Sequence, residues 1–157
     1  MADPIIRRAV EEDIADIRTL TIRAYTKWVE ITPRPPRPMT ADYNQAFADH
    51  RFDLLVDQGR LIGLVETVAE GDELMIVNVA VEPERQGQGH GFTLMRLAEE
   101  IARLSGLAGT RLYTNKLMTS NIALYERLGY EFEKETHHDL GTVAVHMKYS
   151  FSPRRDK

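Results

Sequence analysis

The apolar positions change their spacing several times along the chain, and each change marks an element. Pro4-Ile5-Ile6-Arg7 opens with a short run that predicts a first strand. From Glu11 onward, Ile14, Ile17, Leu20, Ala24 and Trp28 recur every three or four residues. That is the period of a helix that buries one stripe, and it leaves Glu12, Asp16 and Arg23 to solvent. Val10 falls at the expected cap, where Ser, Thr or Asp is better suited, so no cap fixes this helix boundary. The stretch TPRPPRPM at 32–39 stops the helix, because proline has no N–H to donate and disfavours helix in the residue before it. Residues 41–50 then read as a second, shorter helix.

Three apolar runs follow, cut by DQG at 57–59 and EGD at 70–72. They predict three antiparallel strands joined by two hairpins. Beyond the glycine-dense stretch ERQGQGHGF at 84–92, Leu94, Leu97, Ala98, Ile101 and Leu104 form a helical face, with Gly106 as its C-cap. TRLYTN at 110–115 reads as a strand, 121–128 as a short helix stopped by Gly129, and YEFEKE with TVAVHMKYSF as a closing hairpin. The order β-α-α-β-β-β-α-β-α-β-β implies an α/β fold, a mixed and mostly antiparallel sheet flanked by helices. With no repeat and no low-complexity linker, a single domain is expected over 1–152, followed by a short tail at 153–157.

Composition narrows the function classes. The 157 residues, 43% hydrophobic and 28% charged, suit one globular domain with a real core. Twenty basic against 24 acidic side chains give a formal charge of −4, which argues against a nucleic-acid partner. The absence of cysteine removes disulfides, thiolate zinc sites and a cysteine nucleophile. No stretch suits a signal peptide or a membrane span, so a cytoplasmic location and no membrane partner are expected.

The glycine loop joins the apolar run 74–81 to the helix behind it. Glycine is costly to order, so Gly87, Gly89 and Gly91 call for a reason. The first amides of a helix lack partners within it and carry partial positive charge, a setting suited to phosphate or pyrophosphate. A dinucleotide fingerprint starting at Gly87 would need glycine where Phe92 stands, and a P-loop would need Lys after Gly91. A strand-to-helix turn without a ligand is the other reading of the loop by itself.

Gln86-x-x-Gly89-x-Gly91 resembles the Gln/Arg-x-x-Gly-x-Gly/Ala signature of the GNAT N-acetyltransferase superfamily. IRRAVEEDIADIRTL at 6–20 is similar to that family's opening strand and helix. NVAVEPERQGQGHGFTLM at 78–95 resembles its acetyl-CoA-binding core, and 112–135, with Asn121, Tyr125, Gly129 and Tyr130, its second conserved region. The resemblance covers almost the whole chain. It implies acetyl-CoA as cosubstrate, an amine acceptor and no metal. It implies that the loop Gln86, Gly87, Gln88, Gly89, His90, Gly91 and Phe92 binds the CoA pyrophosphate through backbone amides, with no special role for the His90 side chain. Main-chain groups at Val79 and Val81 would pair with the pantetheine arm as an added strand does, in a sheet that splays open beyond that strand. Asn121 would touch the arm, and Tyr125 would lie near the thioester sulfur. A homodimer is an expectation from resemblance alone.

Acetyl transfer to an amine needs a neutral amine, a polarised thioester carbonyl and a stabilised or protonated leaving thiolate. Tyr125 can supply the last as a phenol donor, sharing a helix face with Asn121; packing is its other reading. Glu66 is the candidate base. Alternation puts it on the side of Ile62, Leu64 and Val68, where desolvation would raise its pKa. Asn78, of the same parity as Leu74 and Ile76, could orient a substrate or a water. Glu73 is the other acidic candidate, though a turn position explains it without function, and a water chain with no dedicated base is a third route. The acceptor pocket is expected from the first two helices and their connection, with Tyr25 and Trp28. Arg34 and Arg37 there either pair with a substrate anion or are surface charges. His137, His138, Asp139 and His146 read as an ordinary hairpin end, because adjacent strand residues face opposite ways.

Overall fold

The computed structural model describes residues 3–151; the expected tail at 153–157 lies outside the described residues. Seven strands form one sheet: β1 (Ile5–Arg8), β2 (Arg51–Asp57), β3 (Arg60–Glu70), β4 (Glu73–Val81), β5 (Gly109–Asn115), β6 (Glu131–His137) and β7 (Val143–Ser150). The helices are α1 (Ile14–Tyr25), the single turn α2 (Arg37–Thr40), α3 (Tyr43–Asp49), α4 (His90–Leu104) and α5 (Thr119–Arg127). The sheet order is β1-β2-β3-β4-β5-β7-β6. Neighbouring strands run antiparallel except β4 and β5, which are parallel. The expected fold class and element order hold, with the turn α2 added inside the proline-rich stretch.

Helices cover both faces of the central strands, which is why β2 and β3 are nearly continuous apolar runs. Phe52, Leu54, Leu64 and Ala80 pack with Ile17, Leu20 and Ala24 of α1 and Tyr43 of α3. On the other face Leu55, Ile62, Val65, Ile76 and Met147 pack with Leu94, Met95 and Ala98 of α4. At the start of α1, Asp13 does what Val10 cannot. Its carboxylate accepts from the Val10 N–H at 2.8 Å and pairs with Arg7. No helix among the described residues is long and apolar enough to cross a membrane.

Three expectations from simple periodicity are corrected. Leu104 does not join the buried face of α4 and is 80% exposed. The buried arc is centred on Leu94, Ala98 and Ala102, and Leu104 lies a third of a turn away from it. The other two corrections come from β-bulges, each of which inserts one residue and reverses the faces beyond it. In β3 the register slips so that Leu55 faces Gly63 while Val56 faces Leu61. Ile62 therefore packs on the α4 side, opposite to Leu64 and Glu66. In β4, Glu66 faces Asn78 while Thr67 faces Ile76, leaving Val77 unopposed. Leu74 and Ile76 thus pack on the α4 side, and Asn78 turns the other way, toward Thr21 of α1.

The parallel pairing of β4 with β5 covers only Glu73, Leu74 and Met75 against Gly109, Thr110 and Arg111. Past Met75 the two strands separate, and the sheet opens into a cleft beside the second half of β4.

Candidate active site

The cleft is lined from both sides by sequence motifs. Behind β4 a short 3₁₀ turn (Pro83–Arg85) leads into the glycine loop and α4. Gly87 and Gly89 sit at φ of +81° and +89°, the left-handed region that glycine enters without strain. The first bond inside α4 runs from the Thr93 N–H to the Gly89 carbonyl at 3.0 Å. The amides of His90, Gly91 and Phe92 precede it and have no partner in the helix. Gly91 has no such backbone requirement, and a Cβ there would meet Leu124 of α5 at 3.6 Å, an ordinary van der Waals contact.

These amides open into a cavity of about 500 Å³. Lys27, Arg85 and Arg127 line it, and no carboxylate is among its described lining residues. Gln86, Gly87, Gly89, His90, Gly91 and Phe92 all border it, whereas Gln88 does not. Trp28 lines this cavity and not the neighbouring one, so it stands beside the loop rather than in the expected acceptor pocket. The carbonyls of Val79 and Val81 accept from side chains instead of a strand: Tyr25 Oη reaches Val79 at 3.3 Å, and Gln86 Nε2 reaches Val81 at 3.0 Å. Lys27 in turn donates to Gln86 Oε1 at 2.9 Å.

A second cavity, of about 560 Å³, lies along the other reach of the cleft. Tyr25, Val79, Asn121 and Tyr125 line both. Tyr125 projects from α5, and burial pushes its phenol up to about 12, so it holds its proton throughout the neutral range. Tyr25 donates to Asn78 Oδ1 at 2.9 Å; burial and the nearby Tyr125 raise its pKa well above the ordinary value. Asn78 is 3% exposed, and its amide donates to Thr21 at 3.3 Å. The Asn78 side chain is thus engaged with protein groups and orients the Tyr25 hydroxyl.

Glu66, also 3% exposed, lines the second cavity. Its carboxylate lies 2.6 Å from His50 Nδ1. Burial raises the Glu66 pKa, and the contact with His50 offsets part of that rise. Glu73 lines neither cavity and instead pairs with Arg111 at 3.5 Å beside the turn. His50 is the residue that sequence reading missed. It stands at the C-terminal end of α3, just before β2, and only the bulged register brings it to the face of Glu66. His138 and His146 also line the second cavity, both within hydrogen-bond reach of Thr136 Oγ1, at 3.0 and 2.9 Å. His137 is on the exposed side of the hairpin, near Glu135. Among the described residues no three His, Cys, Asp or Glu side chains converge as metal ligands.

Comparison with known proteins gives this geometry a context. The model of the acetyltransferase (GNAT) family matches residues 14–130. No curated protein matches the sequence significantly. Among solved structures, the Escherichia coli ribosomal-protein-S18-alanine N-acetyltransferase superposes with a TM-score of 0.78 at 21% identity, over 98% of this chain and 97% of that one. The PaiA N-acetyltransferase of Thermoplasma acidophilum, in complex with coenzyme A, gives 0.75 at 18% identity, over 94% and 100%. A Bacillus subtilis acetyltransferase in complex with CoA gives 0.75 at 16%, over 96% and 100%.

Proposed function

Because the chain belongs to the GNAT acetyltransferase family, we propose that it moves an acetyl group from acetyl-CoA to the primary amine of a small molecule, by direct attack in a ternary complex. The observation that carries this reading is the meeting of two cavities at Tyr25, Val79, Asn121 and Tyr125. One cavity has helix-start amides with no partner in the helix, and cations with no carboxylate among its described lining residues, which suits a pyrophosphate. The other contains a buried carboxylate and has the volume of a small-molecule site.

In this reading the CoA pyrophosphate rests on the amides from Gly87 to Phe92. The pantetheine arm follows β4 at Val79 and Val81, passes Asn121, and brings the thioester to the junction. The acceptor enters the second cavity as an ammonium ion. Glu66 takes a proton from it, directly or through one water, and His50 holds the carboxylate in place. The raised pKa of Glu66 makes it a better base than an exposed carboxylate. The neutral nitrogen attacks the thioester carbonyl; as the C–S bond breaks, that nitrogen gives its second proton through water to the departing sulfur, so that CoA leaves as the thiol and the neutral acetamide forms. Tyr125 donates a hydrogen bond from its phenol to the departing thiolate, in keeping with a group that keeps its proton until a strong base appears beside it.

The test is acetyl-CoA consumption, read as free CoA, against a panel of amines with wild type and Tyr125→Phe side by side. Turnover with an amine, reduced in the variant while CoA binding persists, supports the reading. Acetyl-CoA binding with no turnover on any amine points to an acyl-CoA-sensing module instead. Isolation of a covalent acetyl-enzyme competent for transfer would overturn direct attack.

A further inference from the structure

The second cavity carries an uneven distribution of charged side chains. Among its described lining residues there is one carboxylate, Glu66, and that group is already engaged by His50. Facing the same space are Arg34 and Arg37, from the connection between α1 and α3. Neither guanidinium meets a carboxylate among the described residues. The contact of Arg34 is a long one, 3.5 Å to the Asp139 carbonyl, and Arg37 is in no ion pair there.

The connection that carries these arginines is anchored at both ends. Tyr43 Oη donates to the Pro38 carbonyl at 2.6 Å, and Thr32 Oγ1 contacts the Arg34 carbonyl at 2.7 Å. Pro35, Pro36 and Pro38 restrict the backbone between these anchors. Two cations are thus presented to the cavity by a stiff segment, which limits the conformational entropy lost when an anion binds them. A polyamine or other polycation would meet these guanidiniums and find no free carboxylate among the described lining residues to compensate.

We propose that the acceptor is an amine that also carries a carboxylate or phosphate, with Arg34 and Arg37 binding the anionic group and the amine directed toward Glu66. The inference rests on the acetyltransferase reading and narrows its substrate class. Arginine suits this task because its planar guanidinium pairs with either anion through two parallel hydrogen bonds.

The experiment is calorimetric titration of the full chain saturated with CoA. Matched pairs separate the chemistries: phenylalanine against phenylethylamine for the carboxylate, and phosphoethanolamine against ethanolamine for the phosphate, with spermidine as the polycation. At least one anionic member should bind roughly tenfold or more tightly than its neutral-tailed partner, the scale of one or two charge-assisted hydrogen bonds. Arg34→Gln with Arg37→Gln should erase that preference and leave CoA affinity unchanged. Equal binding within both pairs, preference for spermidine, no binding of any of these amines, or a preference that survives in the double variant would each overturn the proposal. Acetyl transfer measured in parallel keeps the two readings apart. Turnover of neutral-tailed amines without anion preference defeats this inference alone, whereas acetyl-CoA binding without transfer to any amine defeats the enzyme reading beneath it.

Discussion

His50 Nδ1 and Glu66 Oε2 stand 2.6 Å apart across the β2–β3 pair, in a cavity wall where Glu66 is all but inaccessible to water. Two opposed effects act on this carboxylate: burial raises its pKa and the imidazole lowers it, with burial the larger. A base of this kind works only when ionised. Activity should therefore fall on the acid side around a midpoint above the ordinary glutamate value. His50→Ala removes the lowering influence, so that midpoint should move to higher pH. Glu66→Gln should lower kcat/KM for the amine by about a hundredfold with CoA affinity retained. A kcat/KM profile across pH for the three proteins checks this, and an acid limb that stays in place in His50→Ala would count against the pair.

The same raised pKa has a consequence for stability. A carboxylate that holds its proton more tightly when folded favours the folded state most below its unfolded pKa. That contribution is lost as pH rises through the folded value. Glu66→Gln has no charge to bury and should flatten this part of the profile. Chemical denaturation at several pH values from acid to neutral reads the difference. An unchanged pH slope in the variant would show that Glu66 is better solvated than its surroundings imply.

How far the site was legible from the chain can be judged on these residues. The glycine loop, Asn121 and Tyr125 sit on local patterns whose spacing survives folding, and the structure brings them together around one cleft. The faces of Glu66 and Asn78 were a different matter. Strand alternation assumes an unbroken period of two, and each of the relevant strand pairs carries a bulge. Counted from the turn at Gln58–Gly59 without a bulge, Glu66 would lie opposite Arg51, and His50 would belong to the other face. With the bulge it lies opposite Phe52. A bulge depends on packing against both helical layers, and little in the local sequence announces it. Trp28 shows a further limit: its helical period predicted burial correctly but could not say which of two adjoining cavities it would line.

Gly89 tests the loop. At φ +89° a side chain is strained, although an added Cβ would meet nothing within 4 Å. Gly89→Ala should cost about 1 kcal/mol of stability from backbone strain alone. It should also weaken CoA binding by placing a methyl group beside the amides of α4. Thermal denaturation with and without CoA separates the two effects, because a ligand adds stability that grows with the logarithm of its concentration over Kd. If the variant loses stability yet gains as much from CoA as wild type does, the loop is a structural turn and the pyrophosphate lies elsewhere.

Tyr125 and Tyr130 belong to one aromatic row, with ring centroids 6.2 Å apart, and the row is anchored below the site by a buried acid. Glu99 of α4 is 1% exposed and accepts from Tyr130 Oη at 3.1 Å and from Arg96 Nη1 at 2.5 Å. Tyr130 also shares a 2.6 Å hydrogen bond with Thr110 of β5. These contacts tie α4, the segment after α5 and β5 into one unit. Glu99→Ala would leave the Tyr130 hydroxyl with Thr110 alone and open a small cavity, while Arg96, partly exposed, can turn to water. The expected cost is about 2–3 kcal/mol. Glu99→Gln keeps the shape and an acceptor oxygen, so it should cost about half as much, mostly through the lost ion pair. Denaturant midpoints for both variants check the order. Since the network touches neither cavity, kcat/KM should hold in Glu99→Gln at temperatures where the protein is folded. A large loss of activity without a loss of stability would mean that the network sets the position of Tyr125 as well as the packing beneath it.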